Sequence, residues 1–504
     1  MAGLNIARLN PAAAGFVLGP LLFLLMQILP EFPDTRVANM ASVAVLMVVW
    51  WITEALPLAA TALLPLVLFP LLGITSGAAV AEEYMNSTIF LFIGGFVLAL
   101  SMQRWDLHTR IALRVIGWFH GSARLMLLGF MVTSALLSMW ISNTATATML
   151  LPIGLAVYAR ASEQLGEDER QALLTALMLG IAYSCSIGGI ATLIGTPPNM
   201  AMQRIFAITF PSAPEISFAQ WLVFALPMSV CLLLVCWGVI SSRYTGRGFS
   251  PLSFSAGSVR ELANKSMAYE EKAVAVVFVL AALGWMFRQS IVIGDFTLPG
   301  WSGLFDNARL LNDGSVAIAA ALALFCLPAR NRDKHTRLAD AETIATMPWN
   351  IVLLFGGGFA LAKGFADSGL SAFIGNGFIG MQQLEPVAMV AGITTTVVFL
   401  TEVTSNTATA QMMLPLVAGI ARSIGVNPLL LMLPVTLAAS MAFMMPVATP
   451  PNAIVFASGR LQIRDMITTG FIINIIAIGM ITLLTLTIGA AVFGISATVP
   501  GWVE

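Results

Sequence analysis

Two copies of one polar motif interrupt long apolar stretches of the sequence. Residues 142–147 read Ser-Asn-Thr-Ala-Thr-Ala, and residues 405–410 repeat the same six residues 263 positions later. Ser, Asn and Thr are strong N-cap residues, so each triplet predicts a helix start whose free N–H groups suit a carboxylate or another oxyanion. The helix that ends at the same break presents unpaired carbonyl groups, which suit a hard cation such as Na⁺.

A second motif, Thr-Pro-Pro-Asn, also occurs twice, at residues 196–199 and 449–452. Proline breaks a continuous helix, but it suits the first turn of the helix that restarts. The threonine of each copy offers a hydroxyl at the break, and the small residue before it, Gly195 or Ala448, lets backbone or an ion approach closely. The alternatives are plain capping of buried turns at the triplets and simple kinks at the prolines. The duplication of both motifs favours binding sites.

The motifs belong to an internal duplication of the chain. Their order is the same in both halves, and a Gly-Gly-Phe segment at residues 94–96 recurs at residues 357–359, again 263 positions later. The Thr-Pro-Pro-Asn copies are 253 positions apart, and the difference falls in a charged loop near residues 162–171. The chain therefore divides into an N-terminal first span, a first repeat, a cytoplasmic linker and a second repeat, at residues 1–37, 38–245, 246–269 and 270–504.

The composition requires most of the chain to be embedded in a membrane. It is 58% hydrophobic and 10% charged, whereas about 25% of the residues of a soluble globular protein are charged. The 24 Lys and Arg nearly balance the 25 Asp and Glu, without the basic excess of a protein that binds nucleic acid. The sequence has no nucleophile elbow, phosphate-binding glycine loop or cluster of metal ligands, so an enzyme is not expected. The predicted fold class is an all-α polytopic membrane protein.

Apolar runs of about 20 residues, the length that crosses a bilayer, predict about eleven transmembrane helices. They lie near residues 12–30, 38–53, 55–73, 87–103, 171–194, 218–242, 270–288, 313–328, 349–366, 429–446 and 466–494. Two further stretches, the hairpins at 122–158 and 386–421, are too long for one helix and contain the Ser-Asn-Thr triplets near their middle. Each predicts a re-entrant hairpin, because a break at membrane depth must be buried in protein or line a wet cavity.

The basic residues predict the orientation of these spans. With the N-terminus in the cytoplasm, 18 of the 24 Lys and Arg fall inside and six fall outside, as the positive-inside rule requires. Residues 104–119 mix charges with large apolar side chains and predict an amphipathic helix in the cytoplasmic interface. The expected location is the cell membrane, inner or plasma, with the C-terminus outside.

The two repeats are expected to be inverted relative to each other. Each carries five spans and one hairpin, so an odd number of crossings separates corresponding points. Inverted repeats with paired broken helices are typical of secondary transporters, and their breaks converge near the midplane of the bilayer. A channel would need a continuous polar path, which four local breaks do not provide.

The charges available at the four breaks indicate the transport mechanism. No Lys, Arg or His lies within the four breaks, and each helix end supplies only about half a charge. An uncompensated dianion would be costly at the midplane, so mobile cations, at least two Na⁺ for a dianion, must supply the rest. Two acids remain to be explained. Glu54 is an acid in or near the membrane, and Glu402 either influences a cation site or orients its hairpin by hydrogen bonding.

At these motifs the chain resembles the divalent anion/sodium symporter family, which includes sodium-coupled dicarboxylate, citrate and sulfate carriers. The resemblance rests on both Ser-Asn-Thr triplets, both Thr-Pro-Pro-Asn segments, the segment Trp-Ile-Thr-Glu-Ala-Leu-Pro at residues 51–57, and residues 440–455. It covers nearly the whole chain. It implies a homodimer in the membrane lipid, in which each protomer has a scaffold part and a mobile transport part that moves like an elevator.

The resemblance also implies which residues bind the cargo. A first sodium site would use Ser138, Ser142, Asn143 and Gly195, and a second would use Thr401, Ser405, Asn406 and Ala448. The substrate would contact Ser142, Asn143, Thr144, Thr196 and Pro197 from the first repeat, and Ser405, Asn406, Thr407, Thr449 and Pro450 from the second. The expected function is Na⁺-coupled symport of a divalent anion, first of all a C4-dicarboxylate such as succinate. A dicarboxylate exchanger of the same fold and a sulfate or citrate carrier are the alternatives, and the sequence does not distinguish succinate, malate, fumarate, citrate and sulfate.

Overall fold

The computed structural model describes residues 10–28, 31–119, 121–246, 249, 266–293, 296–330, 337–495 and 499–503. Their regular secondary structure is helical apart from one β-hairpin. The first half of the chain contains α1 (Pro11–Ile28), α2 (Thr35–Thr53), α3 (Leu58–Thr61), α4 (Leu64–Leu71), α5 (Gly77–Glu82), α6 (Ser87–Arg104), α7 (Leu107–Ile116), α8 (Ala123–Ser138), α9 (Asn143–Ser162), α10 (Glu167–Gly189), α11 (Pro197–Thr209) and α12 (Phe218–Tyr244).

The second half repeats much of this order. It contains α13 (Tyr269–Met286), β1 (Ile291–Ile293), β2 (Phe296–Leu298), α14 (Asp313–Cys326), α15 (Ala341–Ala345), α16 (Trp349–Ser368), α17 (Leu370–Asn376), α18 (Pro386–Thr401), α19 (Asn406–Ser423), α20 (Leu429–Ala438), α21 (Pro450–Ala457), α22 (Ile463–Leu484) and α23 (Ala490–Phe493). Short 3₁₀ turns lie at Trp301–Leu304, Ala308–Leu310, Ile379–Gln383 and Gly501–Val503.

Seven helical stretches of the described chain are long and apolar enough to cross a membrane. They are Pro11–Ile28, Thr35–Thr53, Gly77–Arg104, Glu167–Gly189, Phe218–Tyr244, Trp349–Ser368 and Ile463–Phe493. Five apolar stretches of 10–17 residues accompany them: Leu58–Leu71, Ala123–Ser138, Asp313–Cys326, Pro386–Thr401 and Leu429–Ala438. The chain is therefore a helical polytopic membrane protein, as its composition predicts.

The span expected at 55–73 is wrong as a single helix. The structure divides it into α3 and α4, which are separated by a turn at Ala62 and Leu63. Pro65 explains the division, because it has no N–H to donate to the carbonyl group of Thr61 and its ring would clash with that carbonyl in a continuous helix.

Two spans near the C-terminus also differ from the expectation. The helix expected at 429–446 ends at Ala438, and the chain is irregular from there to Pro450. Pro446 disfavours the helical conformation at Met445, so the helix does not resume there. The span expected at 466–494 begins at Ile463 and contains a π-helical turn at Thr485–Gly489 before α23.

The expected fold class is confirmed as a helical membrane protein, and one loop adds a short β-hairpin. After α13 the strands β1 and β2 pair in antiparallel register, in a segment whose β-branched and aromatic residues favour extended backbone. The amphipathic helix expected at 104–119 is the shorter α7. Most of the linker expected at 246–269 lies outside the described residues.

Each Ser-Asn-Thr triplet joins two helices that pack against each other, α8 with α9 and α18 with α19. Each Thr-Pro-Pro-Asn segment opens a short helix, α11 or α21. In the folded chain α11 packs against α19, and α21 packs against α9. Each short helix therefore contacts the hairpin of the other repeat, so that the two repeats meet at their breaks.

The helix that leads into the first Thr-Pro-Pro-Asn segment lies at the centre of the molecule. In the most apolar part of α10, 94% of the residues are buried, whereas in that of α1 the share is 11%. A helix that is apolar on all sides and buried on all sides is a core element. The break that follows α10 is thus held in the protein interior, where irregular backbone is tolerated at membrane depth.

Candidate functional site

Four helices begin at the wall of one cavity of about 880 Å³. They are α9, α11, α19 and α21, and each begins at one of the duplicated motifs. Because the first N–H groups of a helix have no partner within it, partial positive charge from four helix ends falls on this wall. The residues predicted from the sequence that line the cavity are Ser142, Asn143, Thr144, Gly195, Thr196, Pro197, Ser405, Asn406, Thr407, Ala448, Thr449 and Pro450.

The remaining two predicted residues lie behind this wall and bind the hairpin asparagines. Ser138 Oγ donates to Asn143 Oδ1 at 2.5 Å. Thr401 Oγ1 lies 2.9 Å from Asn406 Oδ1 and 2.8 Å from the carbonyl oxygen of Ala439, so its one proton serves two acceptors. The two hydroxyl-to-amide bonds are 263 positions apart in sequence, and both hydroxyl-bearing residues are fully buried. The repeats therefore build the same oxygen-rich arrangement twice.

The asparagine that closes each Thr-Pro-Pro-Asn motif holds the irregular segment before it. Asn199 Nδ2 lies within hydrogen-bond distance of three carbonyl oxygens between residues 189 and 192, the closest being that of Thr192 at 2.7 Å. Asn452 Nδ2 likewise donates to the carbonyl oxygens of Ala442 and Met445, at 3.0 and 3.1 Å. Sequence reasoning assigned these asparagines no role. The signal was present, because the fourth residue of the motif is duplicated with the other three.

The hydroxyl groups at the four breaks are used unequally. Ser142 Oγ and Thr449 Oγ1 each accept the N–H three residues later, at 3.2 and 3.3 Å, as helix caps do. Ser405 and Thr196 make no such bond. Of the two N-cap hydroxyls in each repeat, one accepts a capping N–H and the other makes no capping bond, Thr196 in the first repeat and Ser405 in the second.

Glu402 orients the second hairpin by hydrogen bonding, which is one of the two roles considered for it. Its carboxylate oxygens accept the backbone N–H groups of residues 443–445 at 2.7–3.0 Å. They also accept Asn474 Nδ2 at 2.7 Å, and Glu402 is 3% exposed. A carboxylate that satisfies four donors is fixed in place, and it fixes the irregular segment before Thr449 against the hairpin.

The first repeat makes the corresponding connection without a charge. Met139 stands 263 positions before Glu402, and Thr192 stands 253 positions before Met445. Here the Thr192 hydroxyl donates to the Met139 carbonyl oxygen at 2.5 Å, and the Gly195 N–H donates to the Thr192 hydroxyl at 3.1 Å. The two hairpins are thus held by different chemistry at equivalent positions.

Among the described residues that line the cavity, none is basic and Glu54 alone is ionisable. Its walls therefore offer an anion the N-termini of helices, hydroxyl groups and amides. They offer a cation carbonyl and hydroxyl oxygens. Such a set suits an anion that enters together with cations.

Broken helices that are paired by an internal duplication and converge on one polar cavity define a membrane transporter rather than an enzyme. The chain belongs to the family described as the sodium:sulfate symporter transmembrane region, whose model matches residues 16–495. The expected family is confirmed by this match.

Curated relatives agree with the family. The chain is 40% identical over 496 residues to the sodium-dependent dicarboxylate transporter SdcS of Staphylococcus saprophyticus, covering 96% of this chain and 93% of that protein. It is 41% identical over 497 residues to the SdcS protein of Staphylococcus aureus, with the same coverage.

A solved structure shares the fold. The Alcanivorax borkumensis YdaH transporter, whose crystal structure has an unusual topology, superimposes with a TM-score of 0.52. The match covers 96% of this chain and 99% of the YdaH chain at 13% sequence identity, and it supports a shared fold alone.

Proposed function

We propose that the protein is a secondary active transporter that carries a divalent anion together with Na⁺, and that its preferred cargo is a C4-dicarboxylate such as succinate. The observation that carries the proposal is the convergence of four helix N-termini on a cavity whose described lining contains no basic side chain. Because helix ends carry only partial charge, a dianion in this cavity needs mobile cations. The SdcS relatives, named as sodium-dependent dicarboxylate transporters, support the same cargo.

Two sodium sites follow the two repeats. The first comprises Ser138, Ser142, Asn143 and Gly195, and the second comprises Thr401, Ser405, Asn406 and Ala448. The matched hydrogen bonds of Ser138 and Thr401 support this pairing, since each fixes the amide oxygen of a hairpin asparagine. Two Na⁺ balance one dianion.

The dicarboxylate lies between the two hairpin tips and the two proline breaks. Its carboxylates are bound by the helix ends and hydroxyls of Ser142, Asn143, Thr144, Thr196 and Pro197, and by those of Ser405, Asn406, Thr407, Thr449 and Pro450. The uncapped hydroxyls of Thr196 and Ser405 support this arrangement, because their protons are free to donate to a carboxylate.

The membrane arrangement that we propose has eleven spans, two re-entrant hairpins and two inverted repeats. The N-terminus is cytoplasmic and the C-terminus is outside the cell, with repeats at 38–245 and 270–504 that follow a first span at 1–37. The inward excess of Lys and Arg supports this orientation. The carrier works as a homodimer by an elevator movement of its transport part.

A dicarboxylate exchanger of the same fold is the second candidate, and a sulfate or citrate carrier is the third. Vesicles containing the purified protein separate them. Succinate, citrate and sulfate are offered in turn with an inward Na⁺ gradient, and again without Na⁺ but with the same anion inside. Uptake of succinate that requires the Na⁺ gradient supports the proposal. Uptake that requires internal anion indicates the exchanger, and a preference for sulfate or citrate changes the cargo.

The two hairpin asparagines are expected to control Na⁺ affinity. Asn143→Ala and Asn406→Ala each remove a proposed sodium ligand. The Ser138 hydroxyl also loses its acceptor in Asn143→Ala, whereas the Thr401 hydroxyl keeps the carbonyl oxygen of Ala439 in Asn406→Ala. A hydrogen bond to a charged group is worth about 1.5–3 kcal/mol, so the Na⁺ concentration for half-maximal uptake should rise about tenfold or more in each variant. The measurement is the rate of succinate uptake as a function of Na⁺ concentration at constant ionic strength. The elution volume of the purified protein in size-exclusion chromatography checks its folding.

Asn376→Ala is the matched control, because Asn376 is exposed at the end of α17 and outside the cavity lining. It should leave the Na⁺ curve unchanged. If both hairpin variants also keep the wild-type curve, the sodium sites are misplaced.

A further inference from the structure

Within the described part of the chain, Glu54 is the one ionisable residue that lines the cavity, and the hydroxyl and amide chemistry described above does not use it. It follows α2 as its C-terminal cap, and its own N–H donates to the carbonyl oxygen of Trp50. The side chain is exposed, and no described residue forms an ion pair or hydrogen bond with it. A free carboxylate thus shares the cavity with the helix N-termini that would hold the substrate.

The backbone at Glu54 is unfavourable for this residue type. Its φ of 48° and ψ of 38° are left-handed, a conformation that suits Gly, Asn or Asp and disfavours other residues. Asp106 is the other residue besides glycine with positive φ in the described chain. Strained residues that persist at a ligand cavity point to a role for the side chain.

The sign of the charge indicates the role. A carboxylate that faces the same cavity as a dianion repels it, and the energy scales with the product of the two charges. The same carboxylate attracts Na⁺, and two Na⁺ that bind first offset its repulsion of the dianion without removing it. The charge on Glu54 therefore favours a definite order, with cations first and the dianion afterwards.

We propose that the Glu54 carboxylate couples anion binding to Na⁺ binding, by repelling the dianion and attracting the cations that offset this repulsion. This inference rests on the proposed function, since it requires both cargoes to occupy the cavity. Glu54 acts through the electric field and does not ligate the substrate. It is thus a residue that sets binding order and ion selectivity.

The test neutralises the side chain at position 54 and measures how uptake by reconstituted vesicles depends on Na⁺ and on succinate. In Glu54→Gln and Glu54→Asn, the Na⁺ concentration for half-maximal uptake should rise about threefold at low ionic strength. The KM for succinate at saturating Na⁺ should fall by up to about tenfold, because the dianion carries twice the charge of Na⁺. Added choline chloride should shrink both shifts, since salt screens exposed charges. Succinate uptake without Na⁺ should rise above the wild-type background.

Shifts of opposite direction in the half-maximal Na⁺ concentration and in the succinate KM distinguish this role from a structural one, because a misfolded cavity weakens the binding of both Na⁺ and succinate. Glu54→Asn also suits the left-handed backbone, so a folding defect is not expected there. Glu54→Asp keeps the charge and should behave like the wild type. Asp106→Asn is the matched control, an acid-to-amide change at the other positive-φ position and outside the cavity lining, and it should shift neither value.

Shifts in the same direction for both cargoes, or no shift in either, would overturn the inference while the proposed function stands. A wild-type protein that takes up no anion with Na⁺ overturns the proposed function itself, before any variant is compared.

Discussion

Glu402→Ala is expected to abolish Na⁺-dependent uptake, with a loss of at least about a hundredfold. The carboxylate accepts three backbone N–H groups from residues 443–445 and the amide of Asn474. Each buried donor left without an acceptor costs about 1–3 kcal/mol, and Phe443 and Asn474 are buried. The irregular segment before Thr449 would then lose its connection to the second hairpin. Uptake in vesicles and thermal unfolding in detergent measure the two consequences.

Glu385→Ala is the matched control for this variant. Glu385 is an exposed acid at the start of the same helix, and its side chain makes no capping bond. It should transport like the wild type. Glu402→Gln should fall between the two, because an amide keeps one acceptor oxygen and presents donors to the N–H groups on the other side. Wild-type uptake by Glu402→Ala would contradict the role assigned to this carboxylate.

Gly195→Ala is expected to reduce uptake about tenfold to a hundredfold, whereas the reverse change at the equivalent position of the other repeat is tolerated. A Cβ atom on Gly195 would lie 2.5 Å from the Gly189 carbonyl oxygen. That distance is a clash with backbone, so the segment must shift. Overpacking of this kind costs about 1–3 kcal/mol, and about 1.4 kcal/mol corresponds to tenfold in an equilibrium constant. The position belongs to the first proposed sodium site, so the Na⁺ affinity should fall as well.

Ala448→Gly provides the comparison within the same molecule. Ala448 stands 253 positions after Gly195 and already carries a Cβ atom, so removal of its methyl group relieves no clash and should change uptake less than about threefold. Na⁺-activation curves of both variants measure the difference. Equal effects in the two variants would show that the close approach at Gly195 does not shape the cation site.

The position of the site could be predicted because polar residues inside apolar stretches have few structural explanations. A Ser-Asn-Thr triplet at membrane depth must cap a helix inside the protein, and its duplication pointed to two equivalent breaks. The structure brings Asn143 and Asn406 to one cavity, as expected. Their assignment as sodium ligands remains a prediction.

Other features depend on partners that are distant in sequence. Glu402 meets the N–H groups of residues 443–445 because α20 ends early, and neither the early end nor the partner is encoded near Glu402. The division of the span at 55–73 follows from Pro65. This is a local signal, but an assignment of spans from hydropathy alone overlooks it. The unequal use of Ser142 and Ser405 hydroxyls depends on side-chain geometry that identical motifs cannot reveal.

The most direct test of Na⁺-coupled dicarboxylate transport is the ratio of Na⁺ to succinate that enters in one experiment. Vesicles that contain the purified protein are prepared without internal substrate. The entry of radiolabelled sodium and radiolabelled succinate is then measured in the same sample under an inward Na⁺ gradient. Two sodium sites coupled to one dicarboxylate site predict at least two Na⁺ for each succinate and a sigmoidal dependence of the rate on Na⁺, with a Hill coefficient above about one. A hyperbolic dependence with one Na⁺ for each succinate, or entry that needs internal dicarboxylate instead of Na⁺, would contradict it.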